Sequence, residues 1–259
     1  MIKMCKLSAV ALAVLCAMPS AGLAQTKQDK IINNATEVLA SVSGMPAKAI
    51  PEFLLKDASG VAIIPNVIRA GFIIGAQRGE GVLFVRREDK TWSPPAFLTI
   101  IGGSFGWQIG VESMDLILVF RNRRGIESLL KGSTTLGADA SVAAGPLGRD
   151  ATAATNLNLD ASVFSYSQTR GLFVGLALNG AVMSIENAAN CSYYQAQDIT
   201  PQILFAGGNV RMPPAASDLV KQIYKWTRTP EPRPPAATEQ QPAGEKSKGK
   251  TKPAAKKAS

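Results

Sequence analysis

The sequence predicts an α+β fold: a single domain with a curved, barrel-like antiparallel β-sheet and flanking helices. Three observations carry this. Short apolar or β-branched runs (VAIIP, FIIGA, GVLFVR, FLTII, LILVF) succeed one another between residues 61 and 120, separated by Gly, Pro or Asn as strands and turns are. Gly71, Gly75, Gly79, Gly102, Gly103, Gly106 and Gly110 fall in or beside these runs, where glycine marks a bulge, a bend or close backbone approach. Apolar stripes with helical spacing stand on either side of the strand-rich block.

Taken in order, the chain opens with Lys3 and Lys6, an apolar run from Leu7 to Met18, and the small-residue stretch PSAGLA ending at Ala24. That is the layout of a secretory signal, residues 1–24, with cleavage expected after Ala24. The run is shorter than the ~20 residues that span a bilayer. Leu15 precedes Cys16 where a lipidation site wants a small residue, so the expectation is an exported, soluble protein in the periplasm or outside the cell.

In KQDKIINNATEVLASVSG the residues Ile31, Ile32, Ala35, Val38, Leu39 and Val42 form the stripe of an amphipathic helix, closed by Gly44 and Pro46. A short helix is expected over Pro51–Lys56, with Pro51 at its first position. Strands then run from Gly60 to about Phe120. FIIGAQRGEGVLFVR and FVGLALNGAVMSIE both read as hairpins, the second turning at Asn179-Gly180 in a type I′ pair. RGIESLLKG reads as one or two helical turns, strands resume from Ser133 to Ala144, and a last helix is expected over Asp218–Thr227 with Leu219, Ile223 and Trp226 on one face. Residues 228–259, rich in Pro, Ala and Lys, carry no aromatic or large aliphatic side chain. Such a segment cannot bury enough apolar surface to offset its ordering entropy and is expected to be disordered.

Composition narrows function. The chain has no histidine, which removes Ser-His-Asp and Cys-His catalysis and the commonest metal ligand. Cys191 is the one cysteine beyond the leader, so neither an intramolecular disulfide nor a thiolate zinc site is expected. It reads as a small, partly buried apolar residue. Acids are scattered singly, and GGSFGWQIG lacks phosphate-loop spacing, so neither a metal nor a cofactor is expected. The net charge of +9 is uneven: residues 228–259 hold eight bases against three acids, residues 25–227 eighteen against sixteen. A nearly neutral body argues against a nucleic-acid domain.

Three runs, GVAIIPNVIRAGF (60–72), GGSFGWQIGVES (102–113) and LGADASVAAGPLGR (136–149), are rich in small residues and poor in acids. Together they resemble the SYLF-domain family, a lipid- and actin-associated module whose bacterial members are mostly small exported proteins. The resemblance spans about Ile31 to Tyr194, and the SYLF-like domain is set at residues 25–227. It implies a non-catalytic protein that associates with lipid, with anionic phospholipid or a membrane surface as partner. An envelope scaffold that binds other proteins is the alternative, and a hydrolase with a carboxylate site a third reading.

Candidate head-group contacts are Arg121, Arg123 and Arg124 in FRNRRG, with Lys131 and Arg149 further on; Arg86 and Arg87 end another strand run. Guanidinium forks suit phosphate oxygens, and ordinary solvated loops are the competing reading. In the tail, Lys246, Lys248, Lys250, Lys252, Lys256 and Lys257 suit an anionic leaflet or an anionic cell-wall polymer. The 28–42 helix lacks the strongly basic face of a membrane-surface helix and is expected to pack on the domain's own sheet. Asp139 is expected to accept backbone N–H bonds and hold a turn.

Overall fold

A computed structural model describes residues 26–45, 50–147, 161–169, 172–207 and 210–231, with the backbone alone for 72–74 and 104–109. Helix α1 (Lys27–Ser43) starts at a capping box: the Thr26 hydroxyl accepts from the Asp29 amide at 3.1 Å, and the Asp29 carboxylate accepts from the Thr26 amide at 3.3 Å. Ile32, Ala35, Val38, Leu39 and Val42 are its buried residues, packed on the sheet and on the last helix, as the stripe requires. In the short α2 (Glu52–Lys56), Pro51 stands at the N-cap, one place earlier than expected.

The strand runs do not form a series of hairpins. They join into two very long strands, β1 (Gly60–Val85) and β2 (Ala96–Phe120), paired antiparallel from Gly60↔Phe120 to Leu83↔Ala96. At ~3.3 Å per residue a straight ribbon of this length would exceed 80 Å. A domain of roughly 200 residues has a radius of gyration near 16 Å, so the ribbon has to fold. It does so at two register shifts, between Ile64 and Val67 and between Gly71 and Ile73. At the first, Asn66 takes the left-handed conformation (φ 52°) and its amide donates to Asp115 Oδ1 at 2.9 Å.

Folding the ribbon brings β1 against itself. A Cβ on Gly79 would stand 2.6 Å from Val67 Cγ2, and one on Gly81 would stand 2.3 Å from the Ile63 carbonyl oxygen. The expected hairpin turn at Gly79–Gly81 is therefore absent: those glycines serve close approach, and the chain runs straight through them.

The remaining strands are β3 (Ser133–Thr135), β4 (Val142–Ala144), β5 (Val163–Thr169), β6 (Leu172–Gly175) and β7 (Val182–Ile185), in the order β3-β7-β2-β5-β4, with β1 also on β2 and β6 on β5. β4 and β5 are parallel, so the curled half-barrel sheet is mixed rather than wholly antiparallel. β6 and β7 do not pair with each other, which corrects the second hairpin. Asn179-Gly180 does turn, with Gly180 at φ 82°, but its amide donates to Leu136 O at 2.7 Å and β7 leaves to join β2 and β3. A two-residue turn permits a hairpin; the pairing goes to whichever strand the core places alongside.

Four helices cover the ribbon's loop end. α3 (Arg124–Leu130) follows β2, and α6 (Pro214–Trp226) matches the expected last helix with an earlier start. α4 (Asn187–Tyr194) and α5 (Pro201–Ala206) were not expected. The 86–95 connection is tied down by Tyr224 Oη, which accepts from the Trp92 amide at 2.8 Å, by Thr227 Oγ1, which accepts from Trp92 Nε1 at 3.1 Å, and by Tyr194 Oη, which donates to Pro95 O at 2.6 Å. No helix among the described residues is long and apolar enough to cross a membrane.

Candidate functional site

Each long strand ends in arginines. Arg86 follows β1, and its guanidinium donates to the carbonyls of Lys56 and, at 3.2 Å, Leu55, and to Thr229 Oγ1 at 3.1 Å. It also lies over the Trp92 ring, 4.7 Å from the centroid. Burial lowers its pKa, yet an arginine stays charged. Arg87 Nε donates to Phe205 O at 3.2 Å and Nη2 to Leu204 O at 3.4 Å, satisfying carbonyls at the end of α5. Both side chains are spent on helix C-termini, which moves them from the head-group candidates to the framework.

The second arginine run is deployed differently. Arg121 is half-buried at the end of β2; its amide donates to Ser162 O at 2.9 Å, and its carbonyl accepts from Ser59 Oγ at 3.0 Å. Arg123, at the N-cap of α3, is exposed and donates from Nη2 to Arg86 O at 3.1 Å. Arg124 opens α3 and Lys131 caps it. Seven residues is close to two turns, so the two bases fall on one face, with Glu127 between them. All three are exposed, and neither base has an ion-pair partner among the described residues.

What holds this face in place is the opposite side of α3. Ile126 and Leu129 are buried in the core, and Gly125 lies flat against Ala140 and Phe120. Thr134 Oγ1 also donates to Gly125 O at 3.0 Å. The sheet thus presents the basic side outward. Beside it, a shallow depression of ≈ 550 Å³ runs between Arg87, Arg123, Glu127, Gln202 and Phe205. Arg149 and the lysines 246–257 lie outside the described residues.

Asp139 behaves as expected: its Oδ2 accepts from the Thr135 amide at 2.7 Å, while its own amide donates to Thr135 O at 2.9 Å, closing a turn. Cys191 is partly buried on α4, its thiol 3.3 Å from Gln197 O. What the sequence reading missed is apolar and exposed. Ile68, Ile101 and Val111, all on the folded ribbon, are 53%, 49% and 77% exposed. Strand periodicity alone does not say which residues of such a long ribbon stay uncovered.

The curled sheet, the folded glycine-rich ribbon and the α3 face can now be set beside known proteins. Residues 101–226, from β2 to α6, match the family described as "Ysc84: Las17-binding protein actin regulator". The chain belongs to the Ysc84/SYLF family. It is 37% identical over 203 residues to the rat "SH3 domain-containing YSC84-like protein 1", covering 78% of this chain and 58% of that protein. It is 37% identical over 188 residues to "Protein YSC84" of Saccharomyces cerevisiae, covering 70% of this chain and 40% of that one. "LAS seventeen-binding protein 3" of the same yeast is 36% identical over 179 residues, 68% of this chain and 38% of its own length. The chain therefore spans about two-fifths to three-fifths of the length of these relatives. The family description and the relatives' names are those of binding and regulatory proteins.

Proposed function

We propose that this Ysc84/SYLF protein is a non-catalytic lipid-binding protein of the cell envelope, exported by its N-terminal leader and drawn to anionic phospholipid. The observation that carries the reading is the placement of Arg123, Arg124 and Lys131. Arg123 and Arg124 stand at the N-terminal end of α3, where the helix dipole disfavours cations. Arg123 also holds the Arg86 carbonyl, but no ion pair among the described residues accounts for Arg124, and a phosphate ligand suits it. The tail lysines add attraction of roughly 1 kcal/mol for each base near an anionic surface.

Co-sedimentation of the full chain with phosphatidylcholine vesicles, with and without phosphatidylglycerol, tests this. The double variant Arg124→Glu, Lys131→Glu is expected to bind anionic vesicles at least about tenfold more weakly, since two attractive charges become repulsive. A chain with all six tail lysines changed to glutamine should lose mainly the salt-sensitive part. Unchanged binding by the α3 variant sinks this surface. A wild-type chain that ignores every vesicle sinks the lipid reading and favours a protein-interaction module, in keeping with the relative named for Las17 binding.

A further inference from the structure

The bend of the β1–β2 ribbon is a surface that α3 does not explain. On one arm beside it, Ile68 and Val111 are exposed by 53% and 77%, and on the other arm Ile101 by 49%. The bend itself is irregular. Gly71 lies opposite Gly110 and Ile73 opposite Gly106, so between these pairs β1 has one residue, 72, where β2 has three, 107–109. The register therefore concentrates aromatic and aliphatic residue types at one turn of an acid-free stretch. On the returning arm, Arg78 is the cross-strand partner of Ile101, which in turn is the partner of Val182. The Arg78 side chain is 65% exposed, its Nη2 3.8 Å from Glu80 Oε1, so an exposed base sits beside the apolar strip.

We infer that this bend is the element that enters the bilayer interface, with Ile68, Val111 and Ile101 at its shoulders and Arg78 at head-group level. The inference rests on the lipid-binding reading and assigns its apolar contact. A membrane fits better than a second copy of the chain. Three aliphatic side chains on a two-stranded ribbon offer far less than the 1,200–2,000 Å² of a stable protein interface. Exposed aliphatic side chains with an exposed guanidinium beside them have the profile of an interfacial anchor.

The same geometry limits how deep it goes. Among the described residues, β2 has a second strand partner only at 98–101 and 115–120, leaving backbone groups open along the bend. Open strand edges are excluded from hydrocarbon. Insertion therefore stops at the interface, where water still reaches the backbone.

Tryptophan emission tests this in the full chain. Trp92 is buried and serves as an internal reference, so Trp226→Phe isolates Trp107 as the reporter. Should that variant unfold, wild type is compared with Trp107→Phe. On vesicles of phosphatidylcholine and phosphatidylglycerol with brominated acyl chains, Trp107 emission is expected to shift to the blue and be quenched. Ile68→Asp with Val111→Asp is expected to weaken vesicle partition at least about tenfold, with an unchanged melt. Vesicle binding with Trp107 unquenched and the double variant unaffected overturns the bend as the anchor and leaves the lipid reading standing. No binding by wild type overturns both. A blue shift that depends on protein concentration without vesicles overturns the inference in favour of self-association.

Discussion

Replacing Gly81 by alanine tests the self-crossing of β1 directly. The added Cβ would stand 2.3 Å from the Ile63 carbonyl oxygen and 2.7 Å from Ile64 Cα. Unstrained contacts lie near 3.5 Å, so the two arms of the ribbon must part by about 1 Å. Both obstacles are main-chain atoms, so no rotamer change relieves them. Overpacking costs about 1–3 kcal/mol, and a backbone obstacle puts this change at the upper end. For a domain of roughly 200 residues each kcal/mol moves Tm by about 2–4 °C, which gives a fall near 10 °C. Gly103→Ala is the matched control: it lies on the same ribbon with no atom within 4 Å of its would-be Cβ, and its change should stay within about 0.5 kcal/mol. Thermal melts followed by circular dichroism compare the two. Equal melting temperatures for both variants would refute the crossing.

Two further outcomes follow from single contacts. Asp139→Ala removes the acceptor of the Thr135 amide at 2.7 Å and should cost about 1 kcal/mol, read as a lower urea midpoint at constant slope; an unchanged midpoint would remove Asp139 from the turn's support. At alkaline pH the tyrosines matter: burial raises the pKa of Tyr166 and Tyr194, and that of Tyr193 to about 12. The folded state holds these phenol protons more tightly than the unfolded chain, so their contribution is complete below about pH 10 and, for Tyr193, is lost between about pH 10 and 12. Tyr193→Phe should flatten that part of the stability–pH curve, and an identical alkaline slope would contradict it.

Much of the helical framework was legible because its causes are local. The 27–43 stripe carries its own start in Thr26 and Asp29 and its own stop in Gly44, and the structure reproduces it within a residue or two. The α3 and α6 segments were read from the same periodicity. α4 and α5 escaped because NAANCSYY and PQILFA are too short to show a helical period; they are held by contacts such as Asn190 Oδ1, which accepts from the Phe97 amide at 2.8 Å.

The candidate site was half legible. Five arginines at strand ends look alike in sequence, and nothing local separates Arg86 and Arg87, which meet helix carbonyls, or the half-buried Arg121, from the exposed Arg123 and Arg124. The difference lies in which helix the fold brings to each strand end.

By itself, the sequence determined the fold class, the family, the neutral body and basic tail, and the lack of any histidine. These follow from residue types and short-range spacing. The tertiary structure alone decided that glycines at 79 and 81 mark a crossing rather than a turn, that Asn179-Gly180 sends β7 away from β6, and that an apolar bend is left exposed. A glycine's backbone freedom and an apolar residue's burial are local possibilities. Which one is realised depends on what the rest of the chain places within a few ångströms, and no window of sequence contains that distance.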